Sequence, residues 1–418
     1  MNQDQLFKLT QSNVRQNEKI VVFGVGGGGG NALNHIIESN VMGVDFVAAN
    51  TDARALDQNQ APNKIILGEN STRGLGAGAN PEVGTAAAKE SLEKIKEYIA
   101  GSDMLFVTAG MGGGTGTGAA PVIAEAAKDM GVLVVGVVTT PFKFEMTQRM
   151  TTALEGIERL KKNVDALLVV ENEKLLESES GKKMNIIDAY KKVDEVLRQA
   201  VQGVTDLITK NGFVNLDFAD IKAILTGAGM AIMGMGEGEG EDRAKKAAEN
   251  AIKSPLMTLS MKGAKGILLN VTTGPEISLG EMADAAQIIE ETADQDAQVI
   301  WGHVIDESLG EKVHITLIAT FPDEATRNKL GAAVKNPVPQ KNAQTGPLQP
   351  QEQPLQPQQP QYPITGRTIY DILNEKRQIA NQGLQEANLT TPNNEGAFPG
   401  HQKKFYDQPA IFRKGTKS

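Results

Sequence analysis

Two glycine clusters, each behind a short apolar run, are the residues best suited to hold a phosphate chain. They are Gly24-Val25-Gly26-Gly27-Gly28-Gly29-Gly30 and Gly110-Met111-Gly112-Gly113-Gly114-Thr115-Gly116-Thr117-Gly118. Glycine loses more backbone freedom on folding than any other residue, so such runs between strand and helix point to backbone lying close to phosphate oxygens. Gly24, Gly26 and Gly29 match G-x-G-x-x-G, and with Asp52 near the end of the next strand they fit a dinucleotide enzyme. The second cluster disfavours that fit, because one dinucleotide site has no need of another phosphate-shaped loop several strands later. Two loops can instead hold opposite sides of one polyphosphate. No G-x-x-x-x-G-K-[ST] occurs, so amides, helix dipoles and a bound Mg²⁺ are left to balance the charge. The other role open to these glycines is tight packing of helix on strand. A second group, Asp217 and Asp220, stands i, i+3 at a helix start, where two carboxylates suit water activation or metal binding as well as plain capping.

These residues need a scaffold, and residues 19 to 140 alternate short β-rich runs with helical stretches. Strands are predicted at Lys19 to Phe23, Val44 to Ala49, Lys64 to Leu67, Met104 to Thr108 and Val132 to Val138, with a helix at Asn31 to Ser39. Asn80-Pro81-Glu82 opens a further helix, as N-cap, first-turn proline and acid, that runs towards Ala100. The continuous apolar runs suit strands covered on both faces, so the first domain is a doubly wound α/β sheet. Helices are expected at Thr147 to Lys162, Asn185 to Thr209, Asp220 to Met233, Glu241 to Lys253 and Ser278 to Ala293. Strands are expected at Ala166 to Val170, Gly266 to Thr272, Gln298 to Val304 and Val313 to Thr320. The later elements form a smaller mixed α+β domain packed on the long helix, with Trp301 inside it.

The 418 residues carry a net charge of −9 and no cysteine. The charge argues against nucleic acid as the main partner, and the absent thiols exclude disulfides and thiolate chemistry. His35, His303, His314 and His401 are too scattered for a metal site. No apolar span is long enough for a bilayer, and the first 18 residues lack the layout of a signal peptide, so the cytosol is the default address.

The stretch Gly112 to Gly118 resembles the signature of the tubulin/FtsZ GTPase family, in its bacterial cell-division branch. Its companions stand in family order: Asn50-Thr51-Asp52-Ala53-Arg54-Ala55-Leu56, Gly74-Leu75-Gly76-Ala77-Gly78-Ala79-Asn80-Pro81-Glu82, Pro141-Phe142-Lys143-Phe144-Glu145 and Asn215-Leu216-Asp217-Phe218-Ala219-Asp220. The resemblance covers about residues 19 to 320. It implies that Gly26, Gly27, Gly28 and Gly29, followed by Asn31, cradle the phosphates with Gly112, Gly113, Gly114, Thr115, Gly116, Thr117 and Gly118. Ala77, Gly78 and Asn80 would approach the terminal phosphate, and Asn50 and Asp52 would lie beside the nucleotide and the water shell of its Mg²⁺. Glu145 would bond the ribose, Arg149 the phosphates, and Asn172 the ribose or base. Tyr190 and Asp194, i and i+4 on the long helix, would choose the base: the ring stacks on a purine, and the ionised carboxylate accepts guanine's Watson–Crick donors. No protein-held metal site is expected.

In this family Asp217 and Asp220, supported by Asn215, act on GTP bound to the neighbouring subunit, so the resemblance implies an active site divided between copies and a head-to-tail polymer. The corresponding layout is a flexible segment 1–18, a GTP-binding domain 19–184, a central helix 185–210, an α+β domain 211–322, a mostly disordered linker 323–404 and a terminal peptide 405–418. The peptide, Asp407 to Lys414, would dock into membrane-tethering adaptors and division regulators, with no direct membrane insertion, at a cytoplasmic ring at midcell. Thr368 to Ala380 could form a short amphipathic helix on binding. Two departures stand out: Met146 follows Glu145 where the family usually has glycine, and Val170-Glu171 precedes Asn172 where Ile-Pro is typical. Three functions remain open: a filament-forming GTPase, an NAD(P)-dependent oxidoreductase, and a nucleotide-binding scaffold without turnover.

Overall fold

Apolar runs that alternate with helices become the central strands of one ten-stranded sheet in a computed structural model that describes residues 18–176, 183–209, 217–254, 256–257 and 259–321. Asn215, the linker, the Thr368 to Ala380 segment and the terminal peptide lie outside the described residues. In chain order the first elements are β1 (Ile20–Val25), α1 (Gly26–Glu38), β2 (Val44–Asn50), α2 (Ala53–Asp57) and β3 (Asn63–Ile66). Next come α3 (Pro81–Glu90), α4 (Leu92–Ile99), β4 (Met104–Gly110), α5 (Thr115–Asp129), β5 (Leu133–Thr140), α6 (Thr147–Lys161) and β6 (Ala166–Glu171). The long helix is α7 (Ile186–Thr209), followed by α8 (Phe218–Leu225), β7 (Gly229–Gly238), α9 (Arg243–Ile252), β8 (Gly266–Thr273), α10 (Leu279–Thr292), β9 (Gln298–Ile305) and β10 (Val313–Phe321).

The sheet order is β3-β2-β1-β4-β5-β6-β7-β10-β8-β9. The first six strands are parallel, and every residue of β1 and β5 is buried, as strands covered on both faces require. On one face, Leu33 and Ile36 of α1 pack with Val193, Val196, Leu197 and Val201 of α7 over Val22, Phe106 and Val137. Burial of each such aliphatic side chain contributes about 1.5–3 kcal/mol. The same cluster continues into Ile221, Leu268 and Ile318, so α7 is a wall of both domains. β6 and β7 pair in parallel over Ala166, Leu167 and Leu168, which makes the two sheets continuous.

Two expectations are corrected, and one helix divides. The helix predicted from Asp220 to Met233 stops at Leu225, and residues from Gly229 onward form β7. Gly227 and Gly229 take φ of 62° and 67°, which ends the helix. A Cβ on Gly234, Gly236 or Gly238 would lie 2.2, 1.9 or 1.9 Å from the carbonyl oxygen of Ala251, Ala247 or Arg243, so α9 rests directly on the strand backbone. Trp301 is 42% exposed rather than packed inside, because β9 is the edge strand, paired with β8 alone. The helix after Asn80 divides at Ser91, whose hydroxyl accepts the Gly68 N–H at 3.0 Å. No helix among the described residues is long and apolar enough to cross a membrane.

Candidate functional site

The strand order reverses between β1 and β4, which lie side by side while their helices leave for opposite faces. Such a switch point leaves a crevice at the C-terminal strand ends. Here α1 begins at Gly26 directly after β1, and α5 begins at Thr115 shortly after β4. Gly26 takes φ of 72°, and a Cβ on it would lie 2.8 Å from the Gly116 nitrogen, so the two helix starts touch. Neither N-cap residue, Val25 or Gly114, supplies a side-chain bond to the first turn. The unpaired first-turn amides and the positive dipole ends therefore converge on one spot, which suits a polyphosphate.

The glycines divide into two kinds, so both roles left open by the sequence are present. Gly27 and Gly113 have open space where a side chain would begin, and so does Gly78 at φ of 57°. Gly29 and Gly118 are packing positions: a Cβ would lie 2.3 Å from Thr108 O and 2.0 Å from Pro81 O respectively. Gly28 and Gly116 press on Gly110, and Gly112 on Arg149. Thr117 is buried, and its hydroxyl accepts the Gly112 N–H at 2.9 Å, bracing the loop from within. Thr115 bonds Thr51 across 2.6 Å, which fastens the end of β2 to the start of α5. Thr51 was not singled out from the sequence; only its place between Asn50 and Asp52 marked it.

The remaining loops arrive from neighbouring strand ends. Asn50 Oδ1 accepts the Asp52 N–H at 3.2 Å, and Asp52 caps α2 through Oδ1 to the N–H groups of Arg54 and Ala55. Both capping bonds fall on Oδ1. Asn80 likewise caps α3, accepting the Glu82 N–H at 2.9 Å, while Ala77 and Asn80 pack on Gly114. Asn31 and Asn50 border a cavity of about 220 Å³ beside Gly26 and Gly27. A larger cleft, about 480 Å³, lies between α7 and the second domain, lined by Gln199, Asp206, Asn270 and Thr316. None of the glycine-cluster residues borders that cleft.

After β5 the chain supplies Phe142, Glu145 and Arg149. Glu145 accepts the Phe142 N–H at 3.0 Å through Oε1 and pairs through Oε2 with Arg149 Nη1 at 3.0 Å. The Phe142 ring stacks on Phe144 and meets Tyr190 edge-on with centroids 5.4 Å apart. Burial first, then the Glu145 carboxylate bonded to it, holds the Tyr190 hydroxyl above its ordinary pKa, so it stays a neutral donor. Met146 takes φ of 76° and ψ of 154° at the start of α6, with its side chain 73% exposed. Asn172, directly after β6, is buried, and its Oδ1 has no hydrogen-bond partner. A buried carbonyl left unpaired in a site wall fits a ligand donor.

Burial raises the Asp194 pKa to about 6, against the pull of His35, and at neutral pH it remains ionised. Asp217 and Asp220 are not brought to this crevice. Roughly 22 Å of α7 separates Asp194 from Thr209, at 1.5 Å per residue, and the acid pair follows beyond that far end. Asp217 is the N-cap of α8 by position, yet its side chain makes no capping bond, and both residues are exposed. Asp217 is thus without the capping role that its spacing allowed, while Asp220 sits in the acid-favouring first turn of α8.

Residues 19–180 match the Tubulin/FtsZ family GTPase domain, and residues 229–321 match the FtsZ family C-terminal domain. The chain is 49% identical over 334 residues to the cell division protein FtsZ of Pseudomonas aeruginosa, covering 80% of this chain and 82% of that protein. The chain belongs to the FtsZ family. A solved FtsZ dimer from M. jannaschii superposes with a TM-score of 0.71 at 44% identity, over 77% of this chain and 92% of that one. CetZ1 from Haloferax volcanii, a GDP-bound monomer, shares the fold at 22% identity with a TM-score of 0.64, over 75% of this chain and 97% of that one. In this chain the two glycine-rich helix starts thus meet at the β1/β4 switch point, while Asp217 and Asp220 are exposed at the start of α8.

Proposed function

We propose that this protein hydrolyses GTP at the contact between copies of itself assembled head to tail. The observation that carries the proposal is the separation of parts: a phosphate cradle complete at one end of α7, and two uncapped, exposed carboxylates beyond the other. A chain so built cannot bring Asp217 or Asp220 to its own nucleotide. A second copy stacked on the cradle can, and a repeated contact of this kind builds an open filament when its rotation does not close. The solved relative from M. jannaschii is described as a dimer, which agrees with association along this family's chains.

In the proposed mechanism the amides of Gly27 and Gly113 and the two helix dipoles hold the phosphates, with Arg149 turning from Glu145 towards them. Gly78 follows the terminal phosphate. Tyr190 lies along the purine, Asp194 accepts the guanine N1–H and 2-amino donors, and Asn172 accepts a ribose or base donor. Adenine presents an acceptor where Asp194 needs a donor, so the site prefers GTP. Mg²⁺ would be held through phosphate oxygens and water near Asp52. Asp217 and Asp220 of the next copy, with Asn215, orient the attacking water and take its proton. Water's oxygen joins the γ-phosphorus, the bond to the β–γ bridging oxygen breaks, and GDP and phosphate leave. Loss of the terminal phosphate removes what Gly78 and the next copy both touch, so the contact weakens. In the cell the filament would organise the division ring at midcell, with Asp407 to Lys414 reaching adaptors and regulators.

The test is sedimentation of purified protein with GTP, ATP, NAD or no nucleotide, with phosphate release measured in parallel. Pelleting and turnover with GTP alone is the expected result. Pelleting without phosphate release would leave a scaffold, and binding of NAD alone would restore the oxidoreductase.

A further inference from the structure

Thr51 stands at a junction of the loops that form the proposed cradle. It follows β2 directly and is fully buried, and its carbonyl accepts the Gly76 N–H at 3.0 Å. The residues after it are laced to the same loop, since the Ala53 N–H donates to Gly74 O at 3.1 Å and Asp52 forms a β-bridge with Leu75. The stretch that carries Ala77 and Gly78 is therefore strung on the backbone around Thr51. The Thr51 side chain fastens a different element: its Oγ1 lies 2.6 Å from Oγ1 of Thr115, the first residue of α5. Thr115 is half-buried, and a Cβ on Gly26 would lie 3.3 Å from the Thr115 Cβ, so Thr115 stands where the two glycine-rich helix starts meet.

Each hydroxyl carries one proton, and burial decides which of the two protons lies between them. Thr51 has no exposed surface, and among the described residues Thr115 Oγ1 is the one group that its hydroxyl bonds. A Thr51 proton turned away from Thr115 would be buried without an acceptor, at the full desolvation cost of the group. Thr51 therefore donates, and Thr115 accepts with its own proton still free. We propose that Thr51 is a positioning residue for phosphate binding, which holds the Thr115 hydroxyl so that this free proton is offered to a phosphate oxygen of the bound nucleotide. The inference rests on the reading that the phosphates lie at the start of α5. A hydroxyl that already accepts one hydrogen bond donates a stronger one, so the two threonines form a donor chain that ends on a charged oxygen. Through its carbonyl the same residue holds the loop of Gly78, so the two phosphate contacts share one anchor.

The experiment measures the Kd for GDP on dilute full-length protein, with a denaturant midpoint for every variant. The variants are Thr51→Ala, Thr51→Val, Thr51→Ser, Thr115→Val and the double variant Thr51→Ala with Thr115→Val. Alanine leaves a small void and valine sets a methyl against Thr115, so an effect common to both belongs to the lost hydroxyl. A Thr115 side chain released into three staggered wells loses up to about threefold in affinity, and its bond to phosphate forfeits about a further twofold of cooperative strengthening. Thr51→Ala and Thr51→Val should therefore weaken GDP binding about three- to sixfold, while Thr51→Ser binds within about twofold of the native chain. Where Thr115 is already valine, Thr51→Ala should change the Kd no further. Native-strength binding by both Thr51→Ala and Thr51→Val overturns the inference. So does a loss that persists in full beside Thr115→Val, or failure of Thr51→Ser to restore binding, since a purely structural role for Thr51 predicts those outcomes. If Thr115→Val alone binds GDP as tightly as the native chain, it is the reading of phosphate at the start of α5 that has failed.

Discussion

Replacing Met146 by glycine should stabilise the protein although it deletes a large apolar side chain. Met146 takes φ of 76° and ψ of 154°, a region that only glycine enters without steric conflict, and a non-glycine residue held there costs about 1–3 kcal/mol. The side chain returns little of that, because it is 73% exposed; with full burial of methionine contributing about 1.5–3 kcal/mol, the covered quarter contributes about 0.5 kcal/mol. Glycine adds about 0.5–1 kcal/mol of unfolded-state entropy to be overcome. As N-cap of α6 the position tolerates glycine with no further loss. Taken at their mid-values these terms favour Met146→Gly by about 0.75 kcal/mol, and by about 2 kcal/mol at most. Met146→Ala is the decisive companion, since it removes nearly the same side chain and keeps the strain. Denaturant midpoints measured at one fixed GDP concentration should rank glycine above methionine and alanine lowest. Alanine equal to or above glycine refutes the strain argument, because the unfolded-state term alone predicts that order. Met146 joins Glu145 to the helix carrying Arg149, so any relaxation here also bears on the ribose and phosphate contacts proposed for those two residues.

Other substitutions separate the parts of the site. Gly27→Ala places a methyl in open space before the proposed cradle and should leave the unfolding midpoint unlowered or slightly raised while weakening GTP binding about 10- to 100-fold, the equivalent of one charged hydrogen bond. Gly118→Ala drives a methyl to 2.0 Å from Pro81 O and should instead destabilise the fold by about 1–3 kcal/mol or more in denaturant titration. Asp217→Ala should retain GTP in a filter-binding assay and lose turnover about 10²- to 10⁴-fold; loss of binding would put Asp217 in its own chain's pocket. Arg243, bonded to Glu281 at 2.8 Å, holds that carboxyl at about 2, below its ordinary 4.5, against the opposing effect of burial. A depressed folded-state pKa gives stability that is complete above 4.5 and lost as pH falls through about 2. Glu281→Gln should therefore cost about 1–2 kcal/mol at pH 7, with a smaller difference from the native chain at pH 3; a difference independent of pH contradicts the assignment.

Much of the nucleotide half was legible because its signals are local. Glycine runs behind apolar strands, the Asn80-Pro81-Glu82 cap and the i, i+4 placement of Tyr190 and Asp194 all express spacing along one element. What stayed hidden depends on packing between elements. The helix expected as far as Met233 takes in the first half of β7, and the rest of that strand goes unassigned, although glycine at every second residue from Gly234 to Gly240 carries the period of a strand; that period has meaning only once α9 lies across the backbone. Trp301 looked like core because tryptophan usually is, and its exposure follows from the edge position of β9, which composition does not reveal. The division of the glycines into packers and open positions, the Thr51 to Thr115 bond and the His35 to Glu195 pair each depend on residues from separate elements. The acid pair was visible as spacing, but the partner-directed role proposed for it rests on exposure and on the missing capping bond of Asp217, which spacing does not show.

The central claim is that the cradle and the acid pair work only when they belong to different copies. Specific GTPase activity measured across a dilution series, at saturating GTP and constant Mg²⁺, tests it most directly. The account predicts near-silence in dilute protein and a steep rise above a threshold concentration, with pelletable polymer appearing at the same threshold. Activity per molecule that stays flat from the most dilute sample to the most concentrated would contradict it, because a single chain would then hold the whole active site.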